Sequence, residues 1–210
     1  MINIQGNLYG ASDYNFSSSR GSRADFAKII TTVPKHIQTQ LRDSTLRLAD
    51  KSVYDIQPIK SQTIKLFQSQ QAKEVGMRNV TQSKLPQNQV LMVSGIYLLA
   101  GVPVTAGATP TQEEIKATHF QTIEQPAYAA LQNGEFTLRA NMVTLVPSTS
   151  MRAFCTANNT NISTGYYKLD NPRLIADNLE FEFEVTLGTM QGLPANSFIY
   201  VALSGTITTP

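Results

Sequence analysis

Tryptophan is absent from this 210-residue chain, cysteine occurs once and histidine twice. A single cysteine, Cys155, excludes an internal disulfide and fits synthesis and assembly in a reducing cytoplasm. The two histidines, His36 and His119, stand far apart, whereas a protein metal site needs three or four converging ligands. The glycines spell neither a P-loop nor a dinucleotide fingerprint. No cofactor and no metal are expected. Charge is scarce as well: charged residues make up 15% of the chain, against about 25% in an average domain. Gln, Asn, Ser and Thr take their place. A neutral surface of amides and hydroxyls suits broad protein–protein contact, because few ions lose their water. The net charge of +2 argues against a dedicated nucleic-acid binder. No apolar run of about 18 residues occurs, so no transmembrane helix is expected. The opening Met1-Ile2-Asn3-Ile4-Gln5-Gly6 lacks the basic and apolar regions of a signal peptide, so synthesis in the cytosol is expected.

What the chain does have is β-patterning. Leu179, Phe181, Phe183, Val185 and Leu187 alternate without a break against Glu180, Glu182, Glu184 and Thr186. That period of two predicts a strand with one face in a core and the other meeting water or another subunit. The connector Gly188–Asn196 is too long for a two-residue hairpin. A last strand follows over Ser197–Thr208, with Ile199, Val201, Leu203 and Ile207 on one face. Upstream, Ser61–Phe67 alternates. Gln89–Leu99 is an apolar run whose length and β-branched content predict a strand buried on both faces. Glu135–Val146 alternates through Phe136, Leu138, Ala140 and Met142, then changes phase at Val143 and Leu145, the mark of a bulge or bend. Arg152–Thr156 and Tyr166–Leu169 read as short strands and Asn158–Ser163 as a polar loop. Gln112–Phe120 and Ala127–Leu131 read as short helices. Seven or eight strands with recurring turn signals, and no helices alternating with them, point to an antiparallel sandwich. Leu85-Pro86-Gln87-Asn88-Gln89, before one buried strand, is echoed by Leu193-Pro194-Ala195-Asn196-Ser197 before the last. Proline sets φ and asparagine closes the turn, so both strands are expected to enter a sheet through the same kind of corner.

The N-terminal part differs. Residues 1–23 are polar, rich in glycine and serine, and without periodicity; they read as an arm ordered only on assembly. Residues 24–50 read as one or two helices, the first with Phe26, Ile29, Ile30 and Val33 as its apolar stripe. Pro34 suits the first turn of the second, in which Ile37, Leu41, Ser44 and Leu48 share a narrow face that rests on a sheet edge or a neighbour. Two parts are expected: residues 1–51, an arm with helix, and residues 52–210, the β-sandwich domain.

Residues able to do chemistry are few. His36, beside Lys35, is expected to be solvated, and His119, with Glu113, Glu114 and Glu124 nearby, makes no ligand set. Cys155 reads as a buried small thiol. Glu180, Glu182 and Glu184 lie about 6.5–7 Å apart along one strand face; a solvated or subunit-facing surface is the better reading than a glycosidase pair lining a cleft. Asn158-Asn159-Thr160 and Asn161-Ile162-Ser163 match the glycosylation sequon by chance when no signal peptide precedes them. Tyr97, Tyr128, Tyr166, Tyr167 and Tyr200 are available for sugar binding, although the absence of tryptophan counts against a lectin. Residues 1–100 carry twelve Lys and Arg against six Asp and Glu, a local +6, and residues 101–210 carry five against nine, a local −4. Such an asymmetry is ordinary in a chain of this length; its functional reading is an N-terminal half facing something anionic or an acidic neighbouring subunit. Arg20, Arg23, Lys28 and Lys35 are the residues placed to touch genome phosphates or a subunit. They are too few for strong independent affinity, but many copies in an assembly would add up.

Several segments carry a resemblance. Asp55-Ile56-Gln57-Pro58-Ile59-Lys60-Ser61-Gln62-Thr63-Ile64-Lys65-Leu66-Phe67 is one, and Lys84-Leu85-Pro86-Gln87-Asn88-Gln89-Val90-Leu91-Met92-Val93-Ser94-Gly95-Ile96 another. A third is Leu169-Asp170-Asn171-Pro172-Arg173-Leu174-Ile175, followed by the acidic strand and Val201-Ala202-Leu203-Ser204-Gly205-Thr206. In layout, over residues 55–210, the chain resembles the jelly-roll capsid proteins of small tailless icosahedral bacteriophages; no single diagnostic motif carries the likeness. The resemblance implies a mainly β fold, a single jelly-roll-like antiparallel β-sandwich with an N-terminal arm containing one or two short helices. Gln112–Leu131 departs from a plain jelly roll as a long inserted loop. Together with the composition, the resemblance implies a non-enzymatic virion structural protein, a capsid subunit that assembles with itself and with other virion proteins into an icosahedral shell around the genome. Such a protein is made in the host cytoplasm, resides in the virion, and contacts nucleic acid weakly and non-specifically through its arm. The rival reading is a host-attachment or carbohydrate-binding β-sandwich module of a phage or cell surface, which a tyrosine-lined concave groove would favour.

Overall fold

The computed structural model describes residues 22–105, 108–156 and 164–210. Eight strands are found there: β1 (Arg47–Pro58), β2 (Thr63–Leu66), β3 (Leu91–Gly101), β4 (Glu135–Ala140), β5 (Val143–Ser150), β6 (Tyr166–Ile175), β7 (Phe181–Thr186) and β8 (Phe198–Thr209). The helices are few and short: α1 (Ser22–Ile29), α2 (Lys35–Arg42), α3 (Gln112–Lys116) and α4 (Ala129–Gln132). None among the described residues is long and apolar enough to cross a membrane. The protein is mainly β, and its strands form two antiparallel four-stranded sheets, ordered β1-β8-β3-β6 and β2-β7-β4-β5. Each strand pairs with the one whose number completes nine: β1 with β8, β2 with β7, β3 with β6 and β4 with β5. The β3–β8 and β4–β7 ladders then join these pairs into sheets.

The period-two patterns supply the core between the sheets. Phe181, Phe183 and Val185 turn inward from β7, and Ile199, Val201, Leu203 and Ile207 from β8; all seven are buried. Phe183 stacks on Phe136 of β4, ring centroids 5.3 Å apart and planes at 15°. Each such side chain contributes about 1.5–3 kcal/mol on leaving water, so the alternation itself holds the sheets together. β3 is buried on both faces, as its composition predicts, and for two separate reasons. Leu91, Val93, Ile96 and Leu98 join the inter-sheet core, with a change of phase at the Val93/Gly95 bulge. Val90 and Met92, at and just before the start of the strand, lie in a second cluster with Phe26, Ile30, Val33, Ile37 and Leu41 of the helical region. The N-terminal helices therefore rest on the outer face of the chain's own β1-β8-β3-β6 sheet, rather than on its edge.

Several boundaries differ from the sequence reading. α2 ends at Arg42, because Ser44 enters the left-handed region at φ 59° and Thr45 turns back to donate its N–H and Oγ1–H to the Gln40 carbonyl. Short hydroxyl and carboxylate side chains compete with the helix in this way. Leu48 consequently belongs to β1, which opens at Arg47, upstream of Ser52. The phase change near Val143 is a hairpin and not a bulge: Asn141 and Met142 both have positive φ, 46° and 65°, as a two-residue turn of this hand requires. Met151–Phe154 forms a 3₁₀ turn where a strand was expected. β6 runs on to Ile175 because its residues 169–172 loop out between the Gly95–Lys168 and Val93–Arg173 pairs, which lets Pro172 sit off the ladder. The two proline corners do match: Asn88 and Asn196 are left-handed at φ 64° and 56°. The loop expected at Asn158–Ser163 lies outside the described residues, and so does the arm expected over residues 1–23, apart from Ser22 and Arg23, whose backbone opens α1.

The free edge of β1 is covered by the β2–β3 connection. Ile56 donates to the Met77 carbonyl at 3.0 Å, and Asn79 donates to the Tyr54 carbonyl at 3.2 Å. Asp55, fully buried, fastens this cover from inside. Its Oδ1 accepts from Arg78 Nε at 3.0 Å, and its Oδ2 accepts from Phe67 N and Gln57 Nε2, both at 2.8 Å. An edge paired with its own connection is no template for stray strands.

Candidate functional site

The outer face of the β2-β7-β4-β5 sheet carries no helix among the described residues, and its charges are arranged by register. β7 turns Glu182 and Glu184 outward; Lys65 of β2 lies opposite Glu184, and Arg139 of β4 opposite Glu182. Lys65 Nζ reaches Glu182 at 3.1 Å and Glu184 at 3.5 Å, while Arg139 Nη1 stands 3.7 Å and 3.9 Å from the same two carboxylates. The hydrogen bond from Lys65 to Glu182, followed by the charge of Glu182, holds the ammonium above its ordinary range. Two cations thus meet two carboxylates. This arrangement neutralises the strip and leaves no carboxyl in an apolar pocket of the kind a glycosidase acid requires. Glu180 pairs separately with Lys84 at 3.1 Å. Next to these pairs, where the β2–β3, β4–β5 and β6–β7 connections meet, lies a groove of about 910 Å³ lined by Gln68, Gln70, Asn141, Asn178 and the exposed Met142, among others. Amides and paired charges line it, a surface for contact more than for chemistry.

The outer face of the β1-β8-β3-β6 sheet is covered at both ends. α1 and α2 lie over Val90, Met92, Leu48 and Leu174. At the other end Ile115 of α3 packs on Ile56, Phe198 and Met77, and residues Thr118–Phe120 cross Gly101. Between the two covers the register sets Tyr54, Ala202, Tyr97 and Tyr166 in one row across all four strands. Tyr97 and Tyr166 stand 4.6 Å apart at 42°, and Tyr54 stacks on Tyr200 at 5.8 Å and 23°. Burial pushes the phenols of Tyr166 and Tyr200 above their ordinary range. Of the five tyrosines singled out in the sequence, Tyr128 is buried in the core and Tyr167 packs against Phe136 and Phe154. Tyr54 was missed, yet its place is legible in the alternation of Ser52, Tyr54 and Ile56 against Val53, Asp55 and Gln57.

Of the four basic residues expected to touch phosphates, Lys28 and Lys35 have described side chains. Arg20 lies outside the described residues, and Arg23 falls on α1 with its side chain outside them. Lys28 is bound to Asp25 at 2.9 Å. Lys35 is exposed in the first turn of α2, the end of a helix that favours anions over cations. His36 and His119 are both exposed. Among the described residues no group of three His, Cys, Asp or Glu could hold a metal ion. Cys155 is a half-buried free thiol. Burial first, and Glu124 second, raise it above its ordinary range, against a smaller pull from Arg152; this is the reverse of an activated nucleophile. No protein-family model matches the chain, and a search of curated proteins found no match.

Proposed function

We propose that this protein is a virion structural protein, a shell subunit built on a single jelly roll and acting by self-assembly. The observation that carries the reading is the pairing order. Four strands laid antiparallel to the next four, first with last, make one long hairpin, and rolling it up gives sheets ordered β1-β8-β3-β6 and β2-β7-β4-β5; this order supports reading the sandwich as the eight-stranded double Greek key common to capsid, lectin and cupin domains. The two histidines are exposed and belong to no ligand group among the described residues, so nothing there favours a cupin reading. Composition supports the shell among the remaining choices: the low charge and the amide-lined groove suit repeated contact between copies. The N-terminal residues 1–21, polar and without apolar periodicity, have too little to bury to offset the roughly 1–2 kcal/mol per residue that ordering costs, and in a shell they find neighbours. A second reading, a host-attachment or carbohydrate-binding module, is favoured by the tyrosine row.

The test is sedimentation and electron microscopy of the full-length protein at high concentration, which should show closed particles. Deleting residues 1–21 should leave circular dichroism and the melting curve unchanged, since α1 and its Phe26 remain, and should replace the particles by small oligomers. Full-length protein that stays monomeric at high concentration refutes the shell reading.

A further inference from the structure

We propose that the tyrosine row on the β1-β8-β3-β6 sheet is a binding site for a neutral oligosaccharide. Two neighbouring rows of side chains give it the two kinds of contact a pyranose needs. The first is Tyr54, Ala202, Tyr97 and Tyr166. The second, one step along the strands toward α1 and α2, is Ser52, Ser204, Gly95 and Lys168. Aromatic faces carry partial negative charge and accept the C–H face of a sugar ring, while hydroxyls and an ammonium at the side bond its rim hydroxyls. Gly95 matters to the shape. A Cβ there would fall 1.9 Å from the Tyr166 hydroxyl and 2.1 Å from the adjoining ring carbon. The hydroxyl end of the Tyr166 ring therefore occupies the space over Gly95 that a side chain would fill, with the Tyr97 ring inclined beside it at 42°.

Size decides between a sugar and a protein as occupant. Three strand spacings make the row about 14 Å long, the reach of a short oligosaccharide running across the strands. About 27 Å of strand separates Leu48, under the N-terminal helices, from Ile56, under α3. Helices about 10–12 Å across stand over both ends, so the row forms the floor of a trough. A protein partner needs roughly 800 Å² on each side, more than this floor offers between its walls. Charge decides between a sugar and a nucleic-acid strand. The two rows hold one cation, Lys168, and no carboxylate, whereas single-strand binding couples aromatic stacking to a groove of positive charge that follows the phosphates.

The site belongs to the single subunit and does not depend on the shell reading. The experiment is saturation-transfer NMR on the full-length protein with maltohexaose, cellohexaose, xylohexaose and chitohexaose, and with oligo(dT) as the charged alternative. At least one of the four sugars should bind, with enhancements on its ring C–H protons. Tyr97→Ala should weaken that binding about tenfold or more, and Tyr97→Phe should largely keep it. Gly95→Ala, which must lift Tyr166 off the sheet, should weaken it similarly if the variant folds; Tyr166→Ala serves if it does not. Met142→Ala, on the other sheet, should leave it unchanged. Failure of all four sugars to bind overturns the proposal, as does binding untouched by Tyr97→Ala, or binding of oligo(dT) alone. Sedimentation of the same variants reads particle formation separately, so loss of the sugar site and loss of the shell are told apart.

Discussion

Replacing Asp55 by Asn tests how the β1 edge is held. The side chain of Asp55 is 1% exposed and that of Arg78 14%, so both are largely out of water. The two carboxylate oxygens accept from Arg78 Nε, Phe67 N and Gln57 Nε2 at 2.8–3.0 Å. Asparagine keeps the shape but turns one acceptor into a donor, which must then face another donor, either the guanidinium or the Phe67 amide. The charge opposite Arg78 is lost at the same time. Breaking one side of a buried ion pair costs about 3–5 kcal/mol. In a chain of this size that lowers Tm by about 6–20 °C, at about 2–4 °C per kcal/mol. Urea unfolding followed by far-UV circular dichroism and tyrosine emission measures it, and no tryptophan interferes. The double variant Asp55→Leu with Arg78→Met removes both charges and should recover part of the loss. Recovery stays incomplete because the Phe67 N–H still lacks an acceptor, worth about 1–3 kcal/mol. If Asp55→Asn falls within about 0.5 kcal/mol of the parent, the ordinary range of a surface change, or if the double variant is no better than the single, the edge is not held by this carboxylate.

Two further outcomes follow from the core and the thiol. Phe183→Ala removes a fully buried ring stacked on Phe136 and should cost about 3–5 kcal/mol in the same urea assay; a loss below about 1 kcal/mol would mean the two sheets do not close on this residue. The Cys155 thiol is raised by burial, so less of it is thiolate at neutral pH than in free cysteine, whose pKa is about 8.5. Iodoacetamide should therefore alkylate Cys155 more slowly than free cysteine near neutrality, and the rate should keep climbing with pH after that of free cysteine has levelled. Faster reaction at neutral pH contradicts the assigned environment.

The strands were legible where one residue in two had to be apolar. β7 and β2 lie within the segments predicted from alternation, β8 (Phe198–Thr209) passes its predicted end by one residue, and the inward positions Phe181, Phe183 and Val185 follow from the alternation directly. Less was legible where two requirements overlapped. A spacing of seven puts Leu41 and Leu48 on one helical face, yet Leu48 reaches the same cluster from a strand, because both α2 and the outer face of β1 bury their apolar residues there. Periodicity reports that a side chain is buried and leaves open what lies between two buried positions. The Asn141-Met142 hairpin was hidden because methionine is an uncommon residue at positive φ. The Asp55 node gives little local signal: beside the nearby Gln57, its partners Phe67 and Arg78 stand twelve and twenty-three residues away. Tyr97 and Tyr166 could be named from sequence, but the row they form with Tyr54 depends on the registers of three separate strand pairs.

The pairing order also accounts for where the charge asymmetry of the sequence goes. When each strand pairs with the one whose number completes nine, β1, β2 and β3 from the basic half are laid against β8, β7 and β6 from the acidic half. Lys65 of β2 meets Glu182 and Glu184 of β7, Lys84 meets Glu180, and in the opposite sense Lys116 meets Glu74. Two cations of the first half, Lys65 and Lys84, are thus brought to three carboxylates of the second within one chain. Exposed pairs of this kind add little to stability, typically 0–1 kcal/mol each, so their effect is on what the surface presents. A strip that has neutralised itself attracts neither an anionic genome nor an acidic neighbour over a distance. If subunits associate as proposed, the amides and hydroxyls that fill most of the polar surface are left to make the contacts, and a chain with so few ions loses little hydration in doing so.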